Sequence, residues 1–212
     1  MKKLFVFILP VVLLVSCHKD PDLSELDSDF VVFTDYDKQA DFASQTTYYI
    51  PDSVLVVTGN EDPEYWTDSR ADVILSAFSD NMTQRGYTKV TDRSTADIGL
   101  QVSFIKDAYY FYDYTDYPYW WWGYPGYWPP IYWGDYWGGW YYPYPIVYSY
   151  NVGSLLAEMI NLKTPTPRND GKIPVMWTVY SAGLLSDVSD INVELAKRSI
   201  YQAFEQSPYI SK

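Results

Sequence analysis

The sequence predicts an α+β fold: a mostly antiparallel sheet of five or six strands, with two helices packed on one face and a long aromatic hairpin insertion. Three observations carry this expectation. Two stretches repeat apolar residues at helical spacing between capping signals. Several β-branched and aromatic runs follow one another across turn residues, without the strand-helix alternation of a parallel sheet. One segment, 109–150, has a composition unlike the rest of the chain.

Phe30 to Thr34, Thr46 to Ile50 and Ser53 to Val57 are β-branched and aromatic, and read as early strands broken at Pro51. Asp62, Pro63 and Glu64 offer an N-cap acid, a first-turn proline and a further acid. They precede Ala71, Ile74, Leu75, Phe78 and Met82, which share one helical face. Arg85 suits the negative end of that helix, Gly86 the left-handed position after it, and Tyr87 the contact that folds back. Ile98, Leu100, Val102 and Phe104 alternate with Gly99, Gln101 and Ser103, the pattern of a half-buried strand. Two more strands are expected at Val152 to Leu162 and at Ile173 to Ser181, the latter with Val175, Trp177 and Val179 on one face. A turn is expected at Arg168 to Gly171. Asp190 or Asn192 caps a last helix that buries Val193, Ala196, Ile200, Ala203 and Phe204 and stops before Pro208.

Residues 1–16 read as a signal peptide, with basic Lys2 and Lys3 followed by the apolar run Leu4 to Val15. That run is too short to span a bilayer, which needs about 20 residues. Leu14-Val15-Ser16-Cys17 resembles a bacterial lipobox, which makes Cys17 the acylated first residue of the mature chain. It is the only cysteine, so a disulfide has no second half. Several acyl chains, at about 0.8 kcal/mol per buried CH₂, suffice for stable anchoring. Residues 17–29 then form a polar tether, and 30–212 a single domain. His18-Lys19-Asp20 loosely resembles a surface-export signal, interrupted by Pro21, so an outer-membrane lipoprotein facing either side is expected.

The chain carries 15 Lys and Arg against 27 Asp and Glu, a balance of −12 that becomes −14 once the two leader lysines are removed. This repels phosphate backbones and excludes nucleic acid as a natural partner. The sole histidine, His18, lies beside the anchor, so Ser-His-Asp, Cys-His and His-rich zinc chemistry are absent from the domain and a non-enzymatic role is expected. Two carboxylates alone still suffice for glycan hydrolysis, and oxygen ligands for calcium, and Asp35, Asp37 and Asp41 form the nearest acidic cluster. Acids at a strand end are commonly turn formers. No phosphate-cradling glycine loop and no cofactor motif occur.

Of the 42 residues from Tyr109 to Tyr150, 23 are aromatic, and 6 Pro and 5 Gly break any long regular element. Trp120, Trp121, Trp122, Trp128, Trp133, Trp137 and Trp140 are the candidate contact residues. Three roles fit this composition. The rings stack on one another and on the sheet; they sit at a membrane interface or on an envelope protein; or they form a sugar platform with Asp113, Asp116 or Asp135 accepting hydroxyl donors.

Asp35-Tyr36-Asp37, Ala40-Asp41-Phe42 and Thr47-Tyr48, then Gly86-Tyr87, Ala96-Asp97, Val152-Gly153-Ser154-Leu155 and Val175-Met176-Trp177, occur in an order that resembles a bacterial lipoprotein family known as domain of unknown function 4136. The resemblance runs over about residues 30 to 209. Ile50, Gln45 and Thr178 stand where that family commonly has a Trp, an aromatic and an Arg. The resemblance implies fold order, lipoprotein status and an envelope location, and it implies no reaction.

Replacing Cys17 with alanine is expected to abolish fatty-acid labelling and release the protein from the membrane fraction. Continued labelling of Cys17→Ala would refute the lipobox.

Overall fold

The computed structural model describes residues 30–58, 64–106, 140–141, 143–144, 152–163, 173–185 and 191–212. Its elements are β1 (Val31–Tyr36), β2 (Thr47–Tyr49), β3 (Val54–Val57), β4 (Glu64–Trp66), α1 (Ser69–Gln84), β5 (Thr88–Lys89), β6 (Ile98–Ile105), β7 (Trp140–Tyr141), β8 (Ser154–Asn161), β9 (Ile173–Ala182) and α2 (Val193–Gln206). A short 3₁₀ turn, Arg93–Thr95, precedes β6. The leader, the tether, Cys17 and the Arg168 to Gly171 turn lie outside the described residues.

Helix α1 buries Ala71, Ile74, Leu75, Phe78 and Met82, the face its periodicity predicts. Its start differs. Glu64 belongs to β4, and the N-cap is Asp68, whose carboxylate accepts from the Arg70 amide at 3.0 Å. An aspartate directly ahead of the first helical turn outcompetes one farther upstream, because only it can reach the orphan N–H groups. The other end is a Schellman turn: Gly86 at φ 90° donates to the Thr83 carbonyl (3.0 Å) and Tyr87 to that of Met82 (3.1 Å). Helix α2 is capped by Asn192, which accepts from the Leu195 amide at 3.1 Å, and it buries Ala196, Ser199, Ile200, Ala203 and Phe204. Asp190 lies outside the described residues.

The main path of the sheet runs β1-β9-β8-β6-β2-β5, with β3 also on β6 and β4 on β3. It is mixed, which corrects the expectation of a mostly antiparallel sheet with fewer strands. β1, β9, β8 and β6 pair antiparallel in succession, but β2 and β3 both pair parallel with β6. The cause is α1, which carries the chain back along the sheet between β3 and β6 and so makes a parallel crossover. β2 and β3 occupy successive stretches of the same β6 edge, Tyr48 opposite Ile98 and Leu55 opposite Ser103, with Pro51 breaking the ladder between them.

Both helices pack on one sheet face, where Leu100, Val102, Met159, Trp177 and Val179 meet Ile74, Phe78, Ile200 and Phe204 in one apolar cluster. A second cluster on the opposite face holds Leu55, Leu156, Ile160, Val175 and Tyr180, with Tyr49, Tyr65, Val90 and Tyr144 packed against it. Every residue of β6 is therefore buried, where alternation predicted a half-buried strand. Val175 also departs from its expected face. Met159 pairs with Trp177 but Ile160 with Val175, so Met176 is the extra residue of a bulge that turns Val175 into the second cluster.

The C-terminal residues close the helix-covered core. Trp177 is fully buried and its indole donates to Ser207 Oγ at 2.9 Å. Tyr209 stacks on Tyr36 at 3.7 Å, Ile210 is buried, and the Lys212 amide reaches the Arg85 carbonyl at 3.1 Å. At the same end of the sheet Asp97 Oδ2 accepts from the Thr46 amide (2.7 Å), the Thr46 hydroxyl (2.8 Å) and the Thr47 amide (3.2 Å), while Lys163 Nζ lies 3.3 Å from Oδ1. Burial alone would raise this carboxyl, but the hydrogen bonds from Thr46 and Thr47 and the contact with Lys163 outweigh it and hold it below the usual range. A depressed native pKa stabilises the fold above the unfolded carboxyl value and loses that contribution as pH falls through the native one. Asp97→Asn is expected to cost about 1–3 kcal/mol in urea unfolding at pH 7. The gap should close as pH drops below about 4; a pH-independent difference would refute this role.

Candidate functional site

Across the sheet face opposite the helices, Gln101, Glu158, Thr178 and Asp35 stand in register on β6, β8, β9 and β1. The next row places Ser103, Leu156, Tyr180 and Phe33 side by side. Gln101, Ser103, Ser154, Glu158 and Thr178 are all buried, so the molecule keeps a strip of polar groups out of water where the sequence pattern suggests a solvent face. Such groups are costly unless they bond one another. Ser154 Oγ donates to the Tyr180 hydroxyl at 2.9 Å, and Gln101 Nε2 donates to the Val102 carbonyl at 3.1 Å.

The aromatic segment meets this strip. In sequence it lies between Ile105 and Ser154, and these two residues face each other on adjacent strands, with the Gly153 amide bonded to the Ile105 carbonyl at 2.8 Å. Near its end, β7 pairs parallel with β9, Trp140 opposite Ile173 and Tyr141 opposite Pro174. Three residues on, the Tyr144 hydroxyl lies 2.6 Å from Thr178 Oγ1. Burial pushes the Tyr144 phenol well above its ordinary range, the Thr178 bond lowers it, and the charge of Glu158 raises it further. Tyr144 thus seats the returning segment over the polar strip.

Of the candidate contact residues, Trp140 is placed by its backbone in β7, and Trp120, Trp121, Trp122, Trp128, Trp133 and Trp137 lie outside the described residues, as do Asp113, Asp116 and Asp135. Asp37 and Asp41 accept from the backbone amides of Gln39 and Ser44, as turn-forming acids do, and Asp35, within β1, accepts from that of Tyr36. Among the described residues no three His, Cys, Asp or Glu side chains converge at metal-binding distance. Asp35 and Glu158 are two strands apart in one row, about 10 Å between backbones. Glu158 is fully buried. The residues around the family's motifs are equally internal: Ile50, Gln45, Trp177 and Thr178 are all buried. Sequence reading missed the strip, whose one signal is Glu158 amid the apolar run Leu155 to Ile160.

Tyr144→Phe and Thr178→Val are each expected to destabilise the protein by about 1 kcal/mol. In a double-mutant cycle the two should be non-additive, since either one removes the same bond. Additive effects would show that Tyr144 does not anchor here.

The domain of unknown function DUF4136 matches residues 32–209. A crystal structure of a DUF4136 family protein from Bacteroides thetaiotaomicron is similar at 47% sequence identity and a TM-score of 0.76, covering 86% of this chain and 97% of that one. Two other solved structures align more distantly. They are a PelC dodecamer from Paraburkholderia phytofirmans (10% identity, 86% of this chain and 98% of that one, TM-score 0.39) and a PDZ domain protein from Parabacteroides distasonis (16%, 87% and 36%, TM-score 0.45). Neither likeness is strong enough to bear on function. No curated protein matches the chain in sequence. With its order of elements and nearly its whole described domain covered by that family's pattern, the chain belongs to the DUF4136 family.

Proposed function

We propose that this protein is an outer-membrane-anchored lipoprotein that acts without catalysis, as an envelope contact module whose working surface is the aromatic segment 109–150. The supporting observation is the way that segment is mounted. It is inserted between two paired positions of adjacent strands, Ile105 and Ser154, and is fastened near its end by β7 and by Tyr144. The framework's own distinctive side chains are spent on architecture: Trp177 is buried against the C-terminal residues and Asp97 ties β6 to β2. The lipobox at Cys17 and the acidic balance fit an envelope location and a partner other than nucleic acid. The partner is an envelope protein or the membrane interface, to which amphipathic indole and phenol rings are suited.

Tryptophan fluorescence reads this surface selectively. Trp66 and Trp177, the two tryptophans outside the segment, are 7% and 0% exposed, so acrylamide-accessible emission reports on the segment alone. The mature chain is expected to show a red-shifted, readily quenched component that lipid vesicles or isolated envelope protein protect. Saturable protection by envelope polysaccharide, lost together in Trp120→Ala, Trp121→Ala and Trp122→Ala, would instead identify a glycan-binding protein. Wholly blue-shifted emission that acrylamide does not touch would end the contact-surface reading.

A further inference from the structure

Among the described residues three large hydrophobic side chains are exposed: Val31 at 48%, Val152 at 39% and Leu185 at 40%. They are far apart in sequence, yet the fold collects them at one end of the sheet. Val31 begins β1 opposite Ala182, the last residue of β9. Leu185 follows three residues later, and its side chain lies over Gly153: a Cβ there would come within 2.3 Å of Leu185 Cγ. The Leu184 amide bonds to the Gly153 carbonyl at 3.2 Å, which sets Val152 beside them. Scattered single apolar residues on a surface are ordinary, whereas a convergent set calls for a partner.

The course of the chain indicates what that partner is. The chain enters the sheet here, since Val31 is the first strand residue after the stretch from Cys17 to Asp29. Only residues 17–29 separate the proposed acylation site from the described domain. The strands run about 25 Å to the opposite end of the sheet.

We propose that the end of the sheet formed by Val31, Val152 and Leu185 is a lipid-apposed surface, which docks on the bilayer and orients the domain with its Asp97 end directed away from it. This rests on the anchoring at Cys17 proposed above, and it adds a surface and an orientation to it. An acyl anchor by itself specifies no pose for the domain; three aliphatic side chains at the entry point bias it to one.

The sole native cysteine is consumed by acylation under that reading, so new cysteines can be labelled selectively. Val152→Cys, at the proposed surface, and Lys89→Cys, exposed on β5 at the far end, would each carry a polarity-sensitive fluorophore on the full-length lipidated protein. The proteins are reconstituted into phosphatidylcholine vesicles containing nitroxide-labelled lipid, and flotation is scored beside quenching. The expected result is flotation of both, with the probe at 152 quenched several-fold more strongly than the probe at 89. Flotation with equal quenching, or stronger quenching at 89, overturns the orientation and leaves the anchor intact. Failure to float overturns the anchoring itself, and the orientation with it. A Val31→Ser and Leu185→Ser double variant, probed at 152, should still float but lose most of the difference. An unchanged difference would also overturn the proposal.

Discussion

The three strands β6, β8 and β9 are shut off from water on both faces, and most of what is distinctive in this molecule follows from that enclosure. One face is closed by two helices, mostly with apolar side chains. The other carries Gln101, Glu158, Thr178, Tyr180 and Ser154, groups that lose water on burial and need partners within the protein. Tyr144 supplies one of these from the aromatic segment. The segment is therefore attached where the sheet has hydrogen bonds to offer, and a wholly apolar face would hold it with less definition of register.

The helix-covered half achieves its closure differently. Trp177 fills the space beneath α2, 5.2 Å from the ring of Phe204, and its one polar atom is satisfied by Ser207. Arg85, at the end of α1, reaches the Phe204 carbonyl and lies over the Phe204 ring at 5.0 Å, so the two helices are joined at their C-terminal ends as well as along their apolar faces. The residues after α2 act as a clasp rather than as a frayed terminus.

The two helices were legible in the sequence because each has a full apolar stripe and a stop signal, Gly86 in one case and Pro208 in the other. The runs that became β1, β2, β3, β6, β8 and β9 were legible too, from β-branched and aromatic composition. Pairing direction was not, because it depends on where α1 returns the chain, a tertiary fact that strand composition does not encode. Two-residue β5 and β7 leave no periodic trace. The polar strip was misread for a specific reason: alternation of Val102 with Gln101 and Ser103 is the same pattern whether the polar face meets water or a second buried layer. Val175 was misassigned because a one-residue bulge reverses the inward and outward sides beyond it. The candidate tryptophans were picked out by composition alone, and of these only the backbone of Trp140 is among the described residues.

Strand β1 comes first in the domain, and its sheet partner is β9, the last strand. Its backbone amides and carbonyls along that edge therefore have to wait until nearly the entire chain is available. Pairings between such distant parts of a sequence are entropically slow to form. Until they do, Val31-Val32-Phe33 is an unpaired, aliphatic and aromatic strand edge, the kind of template on which other chains add. Nascent copies of this protein thus have a window, set by topology and not by final stability, in which their earliest strand can be captured by a neighbour before its own partner arrives.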